Sequence, residues 1–158
     1  MDKNAAQEKL VKVVLVQEYE DSDEADIETP WALDLGNHHY QLKNFPFFFY
    51  GLSFNDIFEA KCLYDDDPRP YFVKVIKKSG HRTVRIFLKN SIKESIAAAQ
   101  VLSQLNALHC GYEGNGDRIF VINIQPHCDF NAVMNLIEDS IEIDMSEMAD
   151  PVEEDRRE

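Results

Sequence analysis

The chain has 158 residues, 44% of them hydrophobic and 11% aromatic, which suits one ordinary domain or two small ones sharing a core. No apolar run reaches the ~20 residues a membrane helix needs, and the start MDKNAAQEKL lacks a signal-peptide core, so the expectation is a cytoplasmic protein away from membranes. Three cysteines, Cys62, Cys110 and Cys128, form an odd and sparse set that argues for reduced thiols and against a disulfide-stapled domain.

In chain order, residues 1–8 read as a flexible lead-in. Leu10–Val16 is a β-branched strand with Val11, Val13 and Leu15 on one face. An acidic loop, Glu18–Glu28, follows. Trp31–Leu35 and His39–Leu42 form a hairpin through Gly36-Asn37. Next comes Asn44–Ala60, NFPFFFYGLSFNDIFEA, around which the rest is arranged: Phe at this density cannot stay exposed, and Pro46 and Gly51 forbid a regular element. The aromatics are therefore expected to dock from an irregular path. Ser53–Ala60 reads as a capped turn or the entry to a strand. Tyr71–Lys77 and Thr83–Leu88 are strands joined as a hairpin by Lys78-Ser79-Gly80-His81.

Beyond Leu88 the period changes. Ser91 and Glu94 match a capping box, and Ile92, Ile96, Ala99, Leu102, Leu105 and Leu108 predict a helix over 91–108 ended by Gly111. Tyr112-Glu113 and Asp117–Gln125 flank a Gly114-Asn115-Gly116 turn, which sets Cys110 opposite about Phe120. Asp129 caps a second helix carrying Phe130, Val133, Met134 and Ile137. Ser140–Met145 is a last strand, with 146–158 a flexible end.

These elements predict an α+β chain. Residues 9–82 form an N-terminal curved antiparallel sheet or partial barrel holding the Phe-rich segment. Residues 83–145 form a ferredoxin-like βαββαβ half sharing its core.

The charge is uneven. Glu18–Glu28 and Asp139–Glu158 hold 16 of the 29 acids and only 2 of the 16 bases, so the remainder is close to neutral. Such segments are either solvated tails or an acidic surface that docks a basic partner. Conversely, residues 74–93 hold seven bases and no acid.

Trp31, Asn44-Phe45-Pro46-Phe47, Asp56, Ser79-Gly80-His81-Arg82-Thr83 with Arg85, Gly111-Tyr112-Glu113 and Asn123-Ile124-Gln125-Pro126 resemble the bacterial family catalogued as domain of unknown function 4265. The likeness runs from about Lys9 to Met145. The family carries no assigned reaction, so it implies no catalytic residue. Small acidic bacterial proteins of similar kind often serve as immunity partners of secreted toxins, an analogy only.

Among candidate sites, Ser79–Arg85 stands first. Gly80 lets backbone approach a ligand, and Arg82 and Arg85 beside His81 can hold a carboxylate or phosphate. Against this, strand charges usually face water. The matching pairs His109-Cys110 and His127-Cys128 invite a zinc reading, but the expected hairpin register keeps them apart and adjacent residues rarely both ligate one tetrahedral ion. Ile119–Ile124 mimics an RNA-recognition strand without the second aromatic motif, so no nucleic acid is expected. No phosphate-cradling glycine loop or nucleophile–base pair is evident.

The favoured function is accordingly a non-enzymatic, cytoplasmic protein-binding protein, most concretely an immunity protein neutralising a toxin through an acidic surface. Glu18, Glu20, Asp21, Asp23, Glu24, Asp26, Glu28, Glu142 and Asp144 are its partner-binding residues. The chain is expected to be a monomer or homodimer, with no catalytic residue, cofactor or metal. The competing function is a small-molecule-binding or enzymatic domain using His81, Arg82 and Arg85.

Overall fold

The computed structural model describes residues 8–149 and breaks the first apolar run into two strands, β1 (Leu10–Lys12) and β2 (Leu15–Glu18). Val13, Val14 and Leu15 are all buried in succession, so strict alternation fails where the chain changes partners. The acidic stretch is a ribbon instead of a loop: β2 pairs antiparallel with β3 (Ala25–Glu28), Leu15 opposite Glu28 and Glu18 opposite Ala25.

β4 (Trp31–Gly36) and β5 (His39–Leu42) form the expected hairpin, with the positive φ angles at Asn37 (58°) and His38 (65°) completing the turn one residue beyond the predicted pair. Both candidate outcomes for Ser53–Ala60 occur. Ser53–Asp56 is a turn, and β6 (Ile57–Tyr64) starts immediately after it. β6 returns through Asp65-Asp66 as β7 (Asp67–Lys77), longer than expected because Pro68 and Pro70 masked its beginning. The five strands lie in the order β1-β4-β5-β6-β7. Val14 then donates its amide to Pro70 O (2.9 Å), and its carbonyl accepts from Phe72 N (3.0 Å). One segment therefore touches both edges of the sheet, through β4 and through β7.

Phe49 and Phe58 are buried, each against the ring of Phe72 at 4.8 and 5.8 Å. With Leu52, Leu42 and Leu15 they form the core of this unit. Phe45, Phe47 and Phe48 are only half-buried, so part of the Phe-rich segment seals the sheet and part lies over its rim.

The chain divides into two compact units between Ser79 and Gly80. The proposed Lys78–His81 hairpin does not form. β7 pairs with β6, whereas β8 (Arg82–Leu88) pairs with strands later in the chain. Two successive hydrophobic strands look alike in sequence whether or not they share a sheet.

In the second unit α1 (Ile96–Ala107) begins five residues later than its predicted start. Ser95 is the cap, its Oγ accepting from Ala98 N at 3.0 Å, while Ser91 Oγ accepts from Lys93 N and bonds Asp117. The buried stripe is consequently Ala98, Val101, Leu102 and Leu105, and Ile96 is 80% exposed. His109, in the left-handed region at φ 70°, follows the helix end in place of the expected Gly111. β9 (Cys110–Asn115) and β10 (Ile119–Ile124) pair in a register that sets Cys110 opposite Ile124 and Gly114 opposite Phe120, four residues from the expected pairing. Only glycine fits at 114, since a Cβ there would lie 2.8 Å from the Phe120 ring.

Asp129 caps α2 (Phe130–Asp139) through Ala132 N as expected. The last strand, β11 (Ile143–Met148), lies three residues beyond its prediction, so 146–148 belong to the sheet. Ala149 is buried as well, its amide donating to Thr83 O at 3.1 Å. Residues 1–7 and 150–158 of the predicted flexible ends lie outside the described residues. Strand order is β11-β8-β10-β9. One face carries Val84, Ile86, Leu88, Phe120, Ile122 and Ile124, packed with the buried faces of both helices. The protein is thus α+β with mostly antiparallel sheets and two helices.

Candidate functional site

Two loci gather chemistry-bearing residues, one in each unit.

In the first unit the acids decorate the β2–β3 ribbon. Glu18, Glu20, Asp21, Asp23 and Glu24 are exposed, at the end of β2 and in the turn that follows. Asp26 accepts from the Tyr19 hydroxyl across the ribbon. Glu28 differs from the others. Its Oε1 accepts from Phe47 N (2.9 Å), and its Oε2 accepts from Phe48 N (2.7 Å) and Phe49 N (2.9 Å), so this carboxylate anchors the Phe-rich turn. Sequence reasoning grouped it with the surface acids because nothing local distinguishes it.

Val14, together with Val16 and Glu18 of β2, lines a cleft whose other wall is Phe49, Leu63, Tyr64, Tyr71 and Phe72. Tyr64 and Tyr71 meet edge to face at 5.3 Å, and the Tyr71 hydroxyl donates to Asp67 Oδ2 at 2.8 Å. Asp67 also receives Arg69, and these bonds hold its carboxyl well below the usual carboxylate range and push the Tyr71 phenol up. The cleft had no sequence signal, because its residues come from three distant stretches.

Deeper in the same unit Asp56 is wholly buried. It accepts Ser53 N (2.8 Å) and Ser79 N (2.7 Å) and pairs with the Lys78 ammonium, which also donates to Gly51 O at 3.0 Å. These contacts tie one buried carboxylate to two backbone amides and an ammonium, which is a structural role.

In the second unit the Ser79–Arg85 candidate is divided by strand alternation. Arg82 stacks its guanidinium on the Phe130 ring at 4.1 Å, on the α2 side. His81, Thr83 and Arg85 have the opposite parity. Asn123 Nδ2 lies 3.0 Å from His81 Nδ1, and Asn123 sits opposite Thr83 in the ladder. Arg85, 4% exposed, has Glu147 Oε1 at 3.6 Å. Gly80, at φ 99°, brings its backbone against Pro126, where a Cβ would lie 3.2 Å from the ring. His81 and Arg85 thus share a face with Asn123, a residue outside the predicted site, and Arg82 does not join them. Glu142 and Asp144 also lie in this unit; Glu142 accepts from Ser95 Oγ at 3.3 Å, and Asp144 is exposed.

The corrected β9–β10 register carries His127 to His109, ring centroids 5.6 Å apart, and places Cys128 against the end of α1, where its thiol donates to Leu108 O at 3.1 Å. Burial, aided by Cys128 alongside, pushes the Cys110 thiol up to about 12. Among the described residues no cluster of three or more His, Cys, Asp or Glu is arranged to hold a metal ion, and no helix is long and apolar enough to cross a membrane.

A family model described as a domain of unknown function (DUF4265) matches residues 28–147. The chain belongs to that family. The DUF4265 span takes in Glu28, the Phe-rich turn, Asp56 and the His81–Asn123 face, and begins after the exposed acids of the ribbon. A crystal structure of a hypothetical protein from Neisseria gonorrhoeae is similar, with a TM-score of 0.71 and 18% identity over 87% of this chain and 92% of that one. The likeness is one of fold. A comparison with curated proteins gave no match.

Proposed function

We propose that this DUF4265 chain is a non-enzymatic protein-binding protein, and most concretely an immunity protein that neutralises a toxin through an acidic surface. The observation that carries the reading is the ribbon: five exposed acids, Glu18, Glu20, Asp21, Asp23 and Glu24, at the end of β2 and in the turn of the two-stranded β2–β3 sheet. Like charges held together in one short turn repel each other in the free protein and are relieved by a basic partner. Glu28 contributes by holding the ribbon's base, and Asp26 by bracing it. Glu142 and Asp144 belong to the second unit and are not part of the ribbon.

Two finer structural readings support a scaffold built for display. The order β11-β8-β10-β9, with both helices packed on one face, fits a ferredoxin-like plan for the second unit. The two-edged engagement of the Val14 segment fits a partial barrel for the first. A small-molecule or enzymatic role for His81, Arg82 and Arg85 is less favoured, because Arg82 faces away from the other two.

The test is capture of partners from the native host by the wild type and by a variant carrying Glu20→Gln, Asp21→Asn, Asp23→Asn and Glu24→Gln. A discrete basic partner held by the wild type, lost from the variant and released as salt rises is the expected result. Equal retention by both proteins refutes the reading.

A further inference from the structure

The aromatic cleft beside the acidic ribbon has the chemistry of a side-chain receptor. Its volume of about 260 Å³ falls below the roughly 300–1,000 Å³ of small-molecule sites, so it suits one long side chain better than a metabolite. Its walls are Val14, Val16 and Leu63 with the rings of Phe49, Tyr64, Tyr71 and Phe72, and among the described residues Glu18 supplies the one carboxyl side chain of its lining. Leu63 and Tyr64 are more than half exposed, forming an open apolar ledge beside a carboxylate. The Asp67 bond to the Tyr71 hydroxyl fixes that ring, so this wall is set before anything binds.

We infer that this cleft receives one arginine or lysine side chain of the partner protein. Such a side chain has an apolar stem for Val14, Val16 and Leu63, a cation for the faces of the tyrosines, and a charge to pair with Glu18. Neither a purely apolar nor an acidic side chain uses all three features. Interface energy concentrates in buried anchors of this kind, ringed by polar contacts that exclude water. The ribbon acids draw a basic surface in, and the cleft fixes where one of its side chains lands. The inference rests on the acidic-surface reading but adds a separate site to it.

The test is an NMR titration of the full, ¹⁵N-labelled chain with blocked Gly-Gly-Xaa-Gly-Gly peptides, where Xaa is arginine, lysine or norleucine. The arginine or lysine peptide should shift the amides of Val14, Val16, Leu63 and Tyr71 saturably, and norleucine, with a stem and no charge, should not. The relative affinities of the two cationic peptides distinguish a stacking guanidinium from a point charge. Glu18→Gln should weaken the cationic peptide by about threefold, and Tyr64→Ala, at an exposed wall position, by a similar factor. The ribbon variant used above keeps Glu18 and should bind these peptides within about twofold of wild type at physiological salt. Equal binding of norleucine, or shifts confined to residues 19–24, overturns the inference. Failure here with loss of partner by the ribbon variant sinks the cleft alone. Success here with partner retained by that variant sinks the acidic-surface reading alone.

Discussion

Glu28 is seated on the backbone of Phe48: its Oε2 accepts the Phe48 amide at 2.7 Å, with the amides of Phe47 and Phe49 on either side completing a three-donor cradle. An anion held by successive backbone N–H groups is the protein's own version of an anion-binding nest. It explains how Phe-rich chain with no regular secondary structure keeps one path, since three amides that would otherwise need water or a ladder are satisfied by one side chain. Phe49 is thereby aimed at Phe72 in the core.

Glu28→Ala should therefore destabilise the first unit by about 3 kcal/mol, the scale for leaving charge-assisted donors unmatched. Glu28→Gln should recover less than half of that, because an amide offers one acceptor oxygen where the carboxylate offers two. Trp31, the chain's only tryptophan, lies in this unit, and its fluorescence during urea unfolding reads the midpoint. A midpoint unchanged in both variants would show the cradle to be incidental.

Buried Asp56 and half-buried Lys78 form an ion pair of the same unit. Removing the carboxylate takes the opposite charge from Lys78 and the acceptor from two amides, so Asp56→Ala should cost about 3 kcal/mol. Asp56→Ala combined with Lys78→Met should cost less than the sum of the single changes, because neither charge is then left without its opposite. Denaturant unfolding of the four proteins as a double-mutant cycle measures the coupling; additive losses would contradict the pairing.

Much of this was legible in the residues, and what was hidden has physical causes. The resemblance motifs turn out to be partners of one another: Asn44 accepts from Trp31 N, Asp56 from Ser79 N, Gly80 lies against Pro126, and His81 against Asn123. Such pairs are invisible in one dimension because the loops between them carry no record of where they return. The start of α1 was misplaced because Ser91 and Glu94 satisfy the capping pattern and Ser95 does not, yet the turn after Ser91 is used to hold Asp117. The β9–β10 register slipped because two glycines flank Asn115, and either end of that tripeptide can serve a turn. In the candidate site, the parity of His81, Arg82 and Arg85 already implied that the two arginines part company across a strand.

Gly80 is held at φ 99° with Pro126 filling the space a side chain would need. Gly80→Ala should cost about 1–3 kcal/mol through backbone strain and crowding together. The accompanying change Pro126→Ala should relieve the crowding but not the strain, recovering part of the loss. Thermal unfolding by circular dichroism of the single and double variants tests this, and full recovery in the double variant would assign the whole effect to the proline contact.

Cys110 gives the chain an alkaline limit. Burial pushes its thiol up to about 12, above the ordinary value near 8.5 that an unfolded chain presents. A folded-state value above the unfolded one means that the folded chain binds the proton more tightly. The resulting stabilisation is whole below about pH 8.5 and is lost progressively as pH rises toward 12. Tyr40 and Tyr71, raised mainly by burial and by the Asp67 bond respectively, act in the same direction, so total stability alone cannot isolate the thiol. The difference between wild type and Cys110→Ala can, because the tyrosines cancel. That difference, taken from urea midpoints at about pH 8 and about pH 10.5, should shrink at the higher pH, and a constant difference would refute the assignment. The same cause predicts an order of thiol reactivity. At about pH 8.5 iodoacetamide should label exposed Cys62 first and Cys110 at least about 100-fold more slowly, since little thiolate forms at the buried position, and peptide mass spectrometry reads the order directly.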